Sequence, residues 1–397
     1  MTDLPQELLD AIIDAIVDRE QLLADPWAVN NTEDTLKALR ACALVSHAFV
    51  RPCQQYLFHA ATFSKHAQQD MLPVDPAALL AVLDRSPHLA KYIRAVHVES
   101  ALDDETECAD LCRILEMTEN IDRLDVLPRV DTELDGVPWS PTFAAVYKRT
   151  FHRPTLRHLT LWYFSWVSAP ELEELLCRSA GLKTLVLRSV AFDDTAVVGR
   201  NDSNAVEPAV VIDNLHLYFL NADSLAALVS SFRRVDLNHL RSLFLHNTPT
   251  LSILELNAPT LESLKFRAYY PDPSLRESIA PDALASATRL RTLELQLPFL
   301  SSLNSVLARL GSLANLPELR RVVVSVSQRT QEAQWAELDR LLAGAGVALE
   351  EVRVYSGSQY TANEPHPDEE MRRWMPMLQR RGVLRLVGWD AEGEEYQ

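Results

Sequence analysis

The amino-acid sequence predicts an α/β protein in which an N-terminal three-helix module precedes a solenoid of parallel strands and helices. A short template with apolar residues at its first, fourth and sixth positions recurs eleven times along the chain, and such self-similarity is typical of repeat architectures. Segments with apolar residues three and four positions apart lie between the copies, and this spacing indicates amphipathic helices. A length of 397 residues allows two or three domains or one elongated array, and the regular alternation favours the array.

The template reads L-x-x-L-x-L, with Ile, Val or Phe allowed at the Leu positions. Most copies are 26 to 35 residues apart, which leaves room for one short strand and one helix in each unit. The Asn or Cys expected three residues after the last Leu is mostly absent, so the array resembles a degenerate leucine-rich-repeat solenoid. The copies begin at Ile93, Ile121, Leu156, Leu182, Ile212, Leu240, Leu251, Leu261, Leu290, Leu319 and Leu349, with a weaker one near Leu384.

Two intervals are much shorter than the others. The copies at Leu240, Leu251 and Leu261 are 11 and 10 residues apart, and together these intervals match one coil of a leucine-rich solenoid. We therefore predict that residues 251–256 form an extra strand on the outer side of that coil. Helices between the copies are predicted at 170–178, 222–233, 331–342 and 367–380.

The repeat does not cover the whole chain. The Leu positions of the array should point inward and stack on neighbouring coils, each contributing about 1.5 to 3 kcal/mol when buried. The segments outside the array lack this pattern. We assign residues 1–65 to the helical module, 66–75 to a polar connector, 76–390 to the array and 391–397 to an acidic tail.

Charge and hydropathy exclude several classes of partner. A formal net charge of −17 would repel the nucleic-acid backbone, so we expect no nucleic-acid partner. The longest stretch without a charged residue, 295–308, is too short for a membrane span. The acidic start differs from a secretory leader, and the five cysteines are too few and too irregular for a disulfide framework. We expect an intracellular protein, cytoplasmic or nuclear or both, with reduced thiols.

The sequence contains no motif that predicts enzymatic chemistry. Serine, histidine and acidic residues do not cluster in a nucleophile pattern, and phosphate-binding and zinc-protease motifs are absent. Cys108 and Cys112 have no second pair or nearby His to complete a zinc site. We expect neither catalysis nor a cofactor nor a metal, and a hydrolase with an unrecognised site is the least favoured alternative.

The N-terminal helix is apolar on two adjacent rows, formed by Leu8, Ile12 and Ile16 together with the residues that follow each of them. Helices are predicted to begin at Leu4 or Pro5, to run from Glu33 through residue 49, and to follow around 52–58. A module this small is marginal unless something covers its remaining apolar face. That face is therefore a candidate docking surface, or alternatively the cap that seals the first repeat.

The residues of this module resemble an F-box. The resemblance rests on Leu4-Pro5-x-Glu7-Leu8 with Ile12 and Ile16, followed by Leu36, Cys42, Val45-Ser46, Phe49 and Leu57-Phe58. A degenerate leucine-rich array follows, as it does in one F-box subclass, although the loop 19–34 is longer than the family pattern and Phe49 stands where Trp is common. The resemblance implies docking to a Skp-type adaptor of a cullin RING ubiquitin ligase through Leu4, Pro5, Leu8, Ile12, Val45, Ser46 and Phe49.

The variable positions of the template should line one surface of the array, because side chains alternate along a strand. Aromatic and basic residues are frequent there, and both dominate binding hot spots, although they also serve ordinary strand packing. The candidate recognition surface comprises Trp162, Arg188, Tyr218, Lys265, Arg267, Arg353 and Tyr355. With the F-box resemblance, this predicts a ligase subunit whose repeats bind an acidic protein substrate. The alternative is a leucine-rich-repeat scaffold without a ligase link.

Overall fold

The computed structural model describes residues 5–17, 33–64, 73–100, 105–128, 146, 149–163, 168–192, 210–248, 251–268, 284, 286–297, 316–326, 332–344, 349–356 and 367–388. These residues belong to two compact units, Met1–Lys183 and Thr184–Gln397. Most of the predicted connector and the whole of the predicted acidic tail lie outside the described residues.

The first unit begins with helices α1 (Gln6–Ile16), α2 (Glu33–Val45) and α3 (His47–Leu57). Ser46 separates α2 from α3, because its backbone is extended and its side chain accepts a hydrogen bond from the Ala48 N–H at 3.3 Å. Capping of this kind starts a new helix. The prediction of one helix through residue 49 and a third around 52–58 was therefore wrong, since α3 begins at His47 and contains Pro52.

The three helices share a small core formed by Ile13, Val17, Leu36, Leu39 and Cys53. The apolar row of α1 that contains Ile13 faces this core, and Ile16 of the other row also packs against it, whereas Leu8 and Ile12 are exposed. The Tyr56 hydroxyl donates a hydrogen bond to Asp14 at 2.5 Å and joins α3 to α1. The helical core therefore leaves Leu8 and Ile12 of α1 exposed.

The repeats of the first unit add strands β1 (Ala60–Ser64), β2 (Ala95–Ser100), β3 (Arg123–Pro128) and β4 (His158–Trp162), which pair in parallel in this order. Helices α4 (Pro76–Arg85), α5 (Glu105–Met117) and α6 (Ala169–Leu176) lie between or after them, and a 3-10 helix covers Pro87–Tyr92. Strand β1 precedes the first copy of the template and lacks its Leu residues, so the template did not predict it.

The second unit contains the parallel strands β5 (Thr184–Arg188), β7 (Asn214–Tyr218), β9 (Ser242–His246), β10 (Ser263–Arg267), β11 (Thr292–Leu297), β12 (Arg321–Val326), β13 (Glu351–Ser356) and β14 (Leu384–Gly388), paired in this order. Strands β6 (Val210–Val211) and β8 (Val235–Asp236) form a separate pair. The weak copy near Leu384 is thus a strand of the array. Helices α7 (Ala222–Ser231), α8 (Leu251–Asn257), α9 (Glu332–Gly344), α10 (Pro367–Trp374) and α11 (Pro376–Arg380) complete the described part of this unit.

The predicted extra strand at 251–256 is wrong, because this segment is helix α8. Ile253, Leu254, Asn257 and Ala258 are buried at helical spacing, whereas Leu256 is exposed. The buried Asn257 side chain donates to the Ile253 carbonyl at 2.8 Å and accepts from the Leu240 N–H at 3.0 Å. The spacing of three in L-x-x-L suits a helix as well as a strand, so the template alone could not separate them.

The predicted helical segment 367–380 is divided into α10 and α11. Pro376 begins α11, where its missing N–H costs nothing. The buried Asp339 of α9 accepts hydrogen bonds from the Met377 and Leu378 N–H groups, both at 2.8 Å. This carboxylate therefore accepts hydrogen bonds from backbone N–H groups that have no acceptor within the first turn of a helix.

The Leu positions of the template form the core of the second unit. Leu215, Leu243, Leu264, Leu293 and Val322 lie in register on five neighbouring strands, and all are almost fully buried. Truncation of such a side chain to Ala costs about 2 to 5 kcal/mol. The repeats are therefore held together by one continuous apolar ladder within this unit.

A second ladder of backbone bonds follows the strands. Ser189, Phe219 and Asn247 come directly after β5, β7 and β9, and all three have a left-handed backbone with φ between 46° and 56°. Their N–H groups donate to the last carbonyl of the next strand, at 2.7 Å for Ser189, 2.8 Å for Phe219 and 2.9 Å for Asn247. The chain thus leaves each of these strands in the same direction.

Candidate functional site

Neighbouring strands of the second unit pair in the same register throughout. The strand positions that alternate with the buried Leu residues therefore form rows that run from strand to strand. The middle row is Val186, His216, Phe244, Lys265, Glu294, Val323, Arg353 and Arg385. The last row is Arg188, Tyr218, His246, Arg267, Gln296, Ser325, Tyr355 and Val387.

Aromatic and cationic side chains gather where these two rows cross strands β5, β7, β9 and β10. The Tyr218 ring contacts the Phe244 ring edge-on at 4.9 Å between centroids, and it lies 5.4 Å from the His246 ring. The Phe219 ring lies 4.6 Å from the His246 ring. We name this set the aromatic–cationic cluster: Arg188, Tyr218, Phe219, Phe244, His246, Lys265 and Arg267.

The cations of the cluster lie against its aromatic rings. The Arg188 guanidinium carbon is 5.7 Å from the centroid of the Tyr218 ring, and the Lys265 ammonium is 5.2 Å from that of Phe244. Lys265 also forms an ion pair with Glu294 of β11 at 2.7 Å. Ring faces attract cations, so these contacts hold the charged groups at the strand surface.

His246 lies at the centre of the cluster and is buried. Burial and the charges of Arg267, Arg188 and Lys265 lower the pKa of His246 from 6.5 to about 4. The imidazole is therefore neutral at physiological pH and does not add to the charge of the surface. Burial makes the largest contribution to this shift, and the three neighbouring cations act in the same direction.

The structure brings together four of the seven residues predicted to form the recognition surface, namely Arg188, Tyr218, Lys265 and Arg267. Arg353 and Tyr355 lie on β13, with β11 and β12 between them and the cluster. Trp162 belongs to the first unit, where it ends β4 and is half-buried. Their role in binding stays a prediction.

Three members of the cluster were absent from the predicted surface. Phe244 and His246 occupy variable positions of the template, but a strand histidine is ordinarily a packing residue. Phe219 follows the last template position, and its left-handed backbone turns it back over His246. The template predicted the first two residues to line the strand surface without assigning them to recognition, whereas nothing in the sequence pattern indicates the third.

The first unit presents a different middle row, formed by Thr62, His97, Asp125 and Thr160, all buried. The Asp125 carboxylate accepts a hydrogen bond from Arg123 Nε at 3.0 Å. Burial alone would raise the pKa of Asp125, but the charge of Arg123, the nearby imidazoles and a hydrogen bond from Thr160 hold that pKa below its ordinary value. This carboxylate is therefore ionised and neutralised locally.

Asp125, His158 and Thr160 supply the carboxylate, imidazole and hydroxyl found in the catalytic triad of a hydrolase, but their geometry differs from that of such a triad. Thr160 Oγ1 and Asp125 Oδ1 both approach Nε2 of His158, at 3.1 Å and 3.9 Å. A relay requires the hydroxyl and the carboxylate on opposite ring nitrogens. The arrangement fits a structural network around Asp125.

In the part of the chain that the structure describes, no group of three or more His, Cys, Asp and Glu residues is arranged to hold a metal ion. None of the described helices combines the length and the apolar character that a bilayer crossing requires.

The helical face predicted to dock an adaptor is exposed. The exposed fractions are 52% for Leu8, 43% for Ile12, 88% for Leu44 and 76% for Val45. Gln6 donates a hydrogen bond to the Ala48 carbonyl at 3.5 Å, which places the start of α1 beside the start of α3. Leu44, which sequence reasoning missed, is the most exposed of the four.

The other predicted docking residues have mixed positions. Pro5 is exposed at the start of α1, and Ser46 is exposed while its hydroxyl caps α3. Phe49 is half-buried and packs against the helical core, so part of its ring is used inside the module. Leu4 lies outside the described residues.

Comparison with known proteins shows similarity of structure but not of sequence. No protein-family model and no curated protein matches the chain. The leucine-rich repeat-containing protein LegL7 from Legionella pneumophila is similar, with 12% sequence identity, a TM-score of 0.40, and coverage of 80% of this chain and 97% of that chain. The recurring template and the parallel strand ladder of the chain itself carry the assignment. The fold is leucine-rich-repeat-like.

Proposed function

We propose that this chain is a non-enzymatic interaction protein whose repeats bind a partner polypeptide on the strand face. The observation that carries the proposal is the pair of rows in register across the strands of the second unit, with aromatic and charged side chains side by side. Extended surfaces of this kind are what repeat arrays use for binding. No cofactor is needed for this function.

Comparative affinity purification tests this proposal. Tyr218→Ala removes a half-buried ring from the strand face, whereas Val82→Ala changes an exposed side chain of α4. We expect the partners of the wild-type chain to be lost with Tyr218→Ala and retained with Val82→Ala. Retention of every partner by both variants would contradict binding through this face.

We further propose that the exposed face of α1 and α2 docks a Skp-type adaptor, so that the chain serves as the substrate-recognition subunit of a cullin RING ubiquitin ligase. The F-box resemblance points to Leu8, Ile12 and Val45, and all three are exposed apolar residues. Exposed apolar patches mark protein-interaction sites. Two surfaces on one chain would raise the effective concentration of a substrate near the ligase.

Binding of purified adaptor measures this second proposal directly. Leu8→Asp and Val45→Asp place a charge on the face, and we expect each to weaken adaptor binding by about tenfold or more. Val82→Asp is the matched control, because Val82 is an apolar residue of the same unit with 40% exposure. If the wild-type chain does not bind the adaptor, the alternative of a repeat scaffold without a ligase link replaces this proposal.

A further inference from the structure

We propose that a cavity in the first unit, where the helical module meets the first repeats, binds a small polyhydroxylated phosphate monoester such as a sugar phosphate. The cavity has a volume of about 590 Å³, and small-molecule sites usually measure about 300 to 1,000 Å³. It shares no residue with the strand face of the second unit. This ligand is therefore an addition to the proposed function and does not depend on it.

The cavity is lined by charged and polar side chains from both parts of the first unit. The helices contribute Asp10 and Asp14, which lie one turn apart on α1, and Arg51 of α3. The repeats contribute His59, which precedes β1, and Lys91 near the end of the 3-10 helix. Cationic, anionic and neutral polar groups therefore surround the same space.

Hydrogen bonds hold the repeat side of the cavity in place. The Arg94 N–H donates to the His59 carbonyl at 2.8 Å, and the Asn120 side chain donates to the Lys91 carbonyl at 3.0 Å. The Arg94 guanidinium in turn donates to the Asn120 carbonyl at 3.4 Å. These bonds join the residues that precede three successive strands, so this side of the cavity is formed before a ligand arrives.

Two cations of the cavity have no counterion among the described residues. The Arg51 guanidinium is exposed and forms neither an ion pair nor a hydrogen bond with them. The Lys91 ammonium lies 5.2 Å from the centroid of the Tyr92 ring and has no carboxylate partner among them. Arg94 differs, because it lies near Asp122, where burial raises the pKa of that carboxyl and the charge of Arg94 acts against the rise. Two positive charges, those of Arg51 and Lys91, are thus available to a ligand.

A phosphate monoester matches these two cations in charge. It carries a charge of about −1.5 to −2 at neutral pH, whereas a carboxylate carries a single negative charge and would leave one cation without a partner. The guanidinium of Arg51 offers a planar fork of donors to two phosphate oxygens, and the ammonium of Lys91 adds a point charge. A ligand with a second phosphate would be repelled by Asp10 and Asp14.

The other polar groups of the cavity suit hydroxyl groups. Asp10 accepts a hydrogen bond from Gln6 at 2.8 Å, and a carboxylate has acceptor sites for further donors. Burial and the charge of Arg94 lower the pKa of His59 from 6.5 to about 4, so its neutral ring offers one donor and one acceptor. Because a hydroxyl both donates and accepts, a polyol satisfies these groups without adding charge.

Calorimetric titration of the full-length chain tests this proposal, with glucose-6-phosphate and glycerophosphate as probes beside inorganic phosphate and glucose. We expect both phosphate esters to bind about tenfold more tightly than inorganic phosphate or glucose, since each of these two offers only part of the recognised chemistry. Arg51→Gln and Lys91→Gln should each weaken binding of glucose-6-phosphate by about tenfold. Arg40→Gln is the matched control and should leave binding unchanged, because Arg40 is an exposed arginine of α2 outside the cavity.

A further variant separates the hydroxyl groups of the ligand from its phosphate. Asp10→Asn removes the same negative charge from the surroundings of every phosphate-bearing probe, but it weakens the acceptor for a hydroxyl. The preference for glucose-6-phosphate over inorganic phosphate should therefore fall by about two- to fivefold. An unchanged preference would contradict the contact between Asp10 and a hydroxyl group.

Three results would overturn the proposal. Both phosphate esters might bind no more tightly than inorganic phosphate, or Arg40→Gln might weaken binding as much as Arg51→Gln does. Tighter binding of a phosphoserine peptide than of either ester would assign the cavity to a phosphorylated protein segment instead. Thermal unfolding of the unliganded variants checks that they fold, which we expect because Arg51 and Lys91 are both exposed.

Discussion

The middle row of the first unit and the last row of the second unit use the same kind of parallel strand pairing for opposite electrostatic arrangements. In the first unit the buried Asp125 is surrounded by a guanidinium, imidazoles and a hydroxyl that satisfy its charge. In the second unit His246 is neutral because burial, together with the charges of Arg267, Arg188 and Lys265, lowers its pKa. The strand pairing therefore fixes where the side chains lie. The residue at the centre of each row decides whether the charges around it cancel or remain positive.

The largest change in the free energy of unfolding should come from removing the Asp125 carboxylate. Asp125→Ala leaves Arg123, which is mostly buried, without its acceptor, and we expect a loss of about 3 kcal/mol in the free energy of unfolding. Asp125→Asn keeps an acceptor oxygen and should cost about 1 to 2 kcal/mol. Urea unfolding measures both values. An unchanged unfolding midpoint for Asp125→Ala would show that the row does not depend on this carboxylate.

The neutral histidine of the second unit should make stability depend on pH in a defined direction. The pKa of His246 falls from 6.5 to about 4 on folding, so the unfolded chain binds the extra proton between these values. Stability should consequently decrease as pH falls from 6.5 towards 4, with His246 contributing about 2 kcal/mol to the decrease. His246→Gln should flatten the unfolding profile across this range.

His88→Gln serves as the control for the histidine-to-glutamine change, because His88 is exposed in the 3-10 helix Pro87–Tyr92. Equal slopes for the wild type and His246→Gln would contradict the assignment of a depressed pKa to His246.

The smallest effect should come from the backbone ladder at the strand ends of the second unit. Ser189 has φ of 49°, a region that costs a non-glycine residue free energy. Ser189→Gly should raise the free energy of unfolding by about 0.5 to 1 kcal/mol. Ser242→Gly in β9 is the opposite control and should lower it by a similar amount, about 0.5 to 1 kcal/mol. Thermal unfolding of both variants distinguishes the two positions, and a shift in the same direction for both would refute the backbone explanation.

The sequence predicted the fold where a residue type has only one physical use. Leu215 has polar neighbours on both sides, Asn214 and His216, so alternation predicted it as a buried strand residue, and the ladder follows from such positions. The segment 251–256 was misassigned because its Leu spacing suits helix and strand alike, whereas the Asn257 side chain bonds to Ile253 within the helix and to the Leu240 N–H, 17 residues earlier in the sequence. Strand β1 was missed because AATFS has no Leu to mark it.

The candidate site was predictable only in part for a related reason. Alternation along the strands predicted that Arg188, Tyr218, Lys265 and Arg267 share a face, and register then placed them together. The template does not show which cations have a carboxylate beside them across strands. Lys265 pairs with Glu294 of the next strand, and only the register of β10 with β11 brings these two side chains together.

The hydrogen bonds that Ser189, Phe219 and Asn247 donate to the following strand have a consequence for protein engineering. Because they tie each strand exit to its neighbour, the stretch of chain that comes next can be lengthened without altering how the strands align. The entropic cost of closing a longer loop is small, about 0.6 kcal/mol for each doubling of the loop length. Reporter groups or affinity tags inserted after residue 192 should therefore leave the array assembled, and they would place a probe at the margin of the partner-binding region.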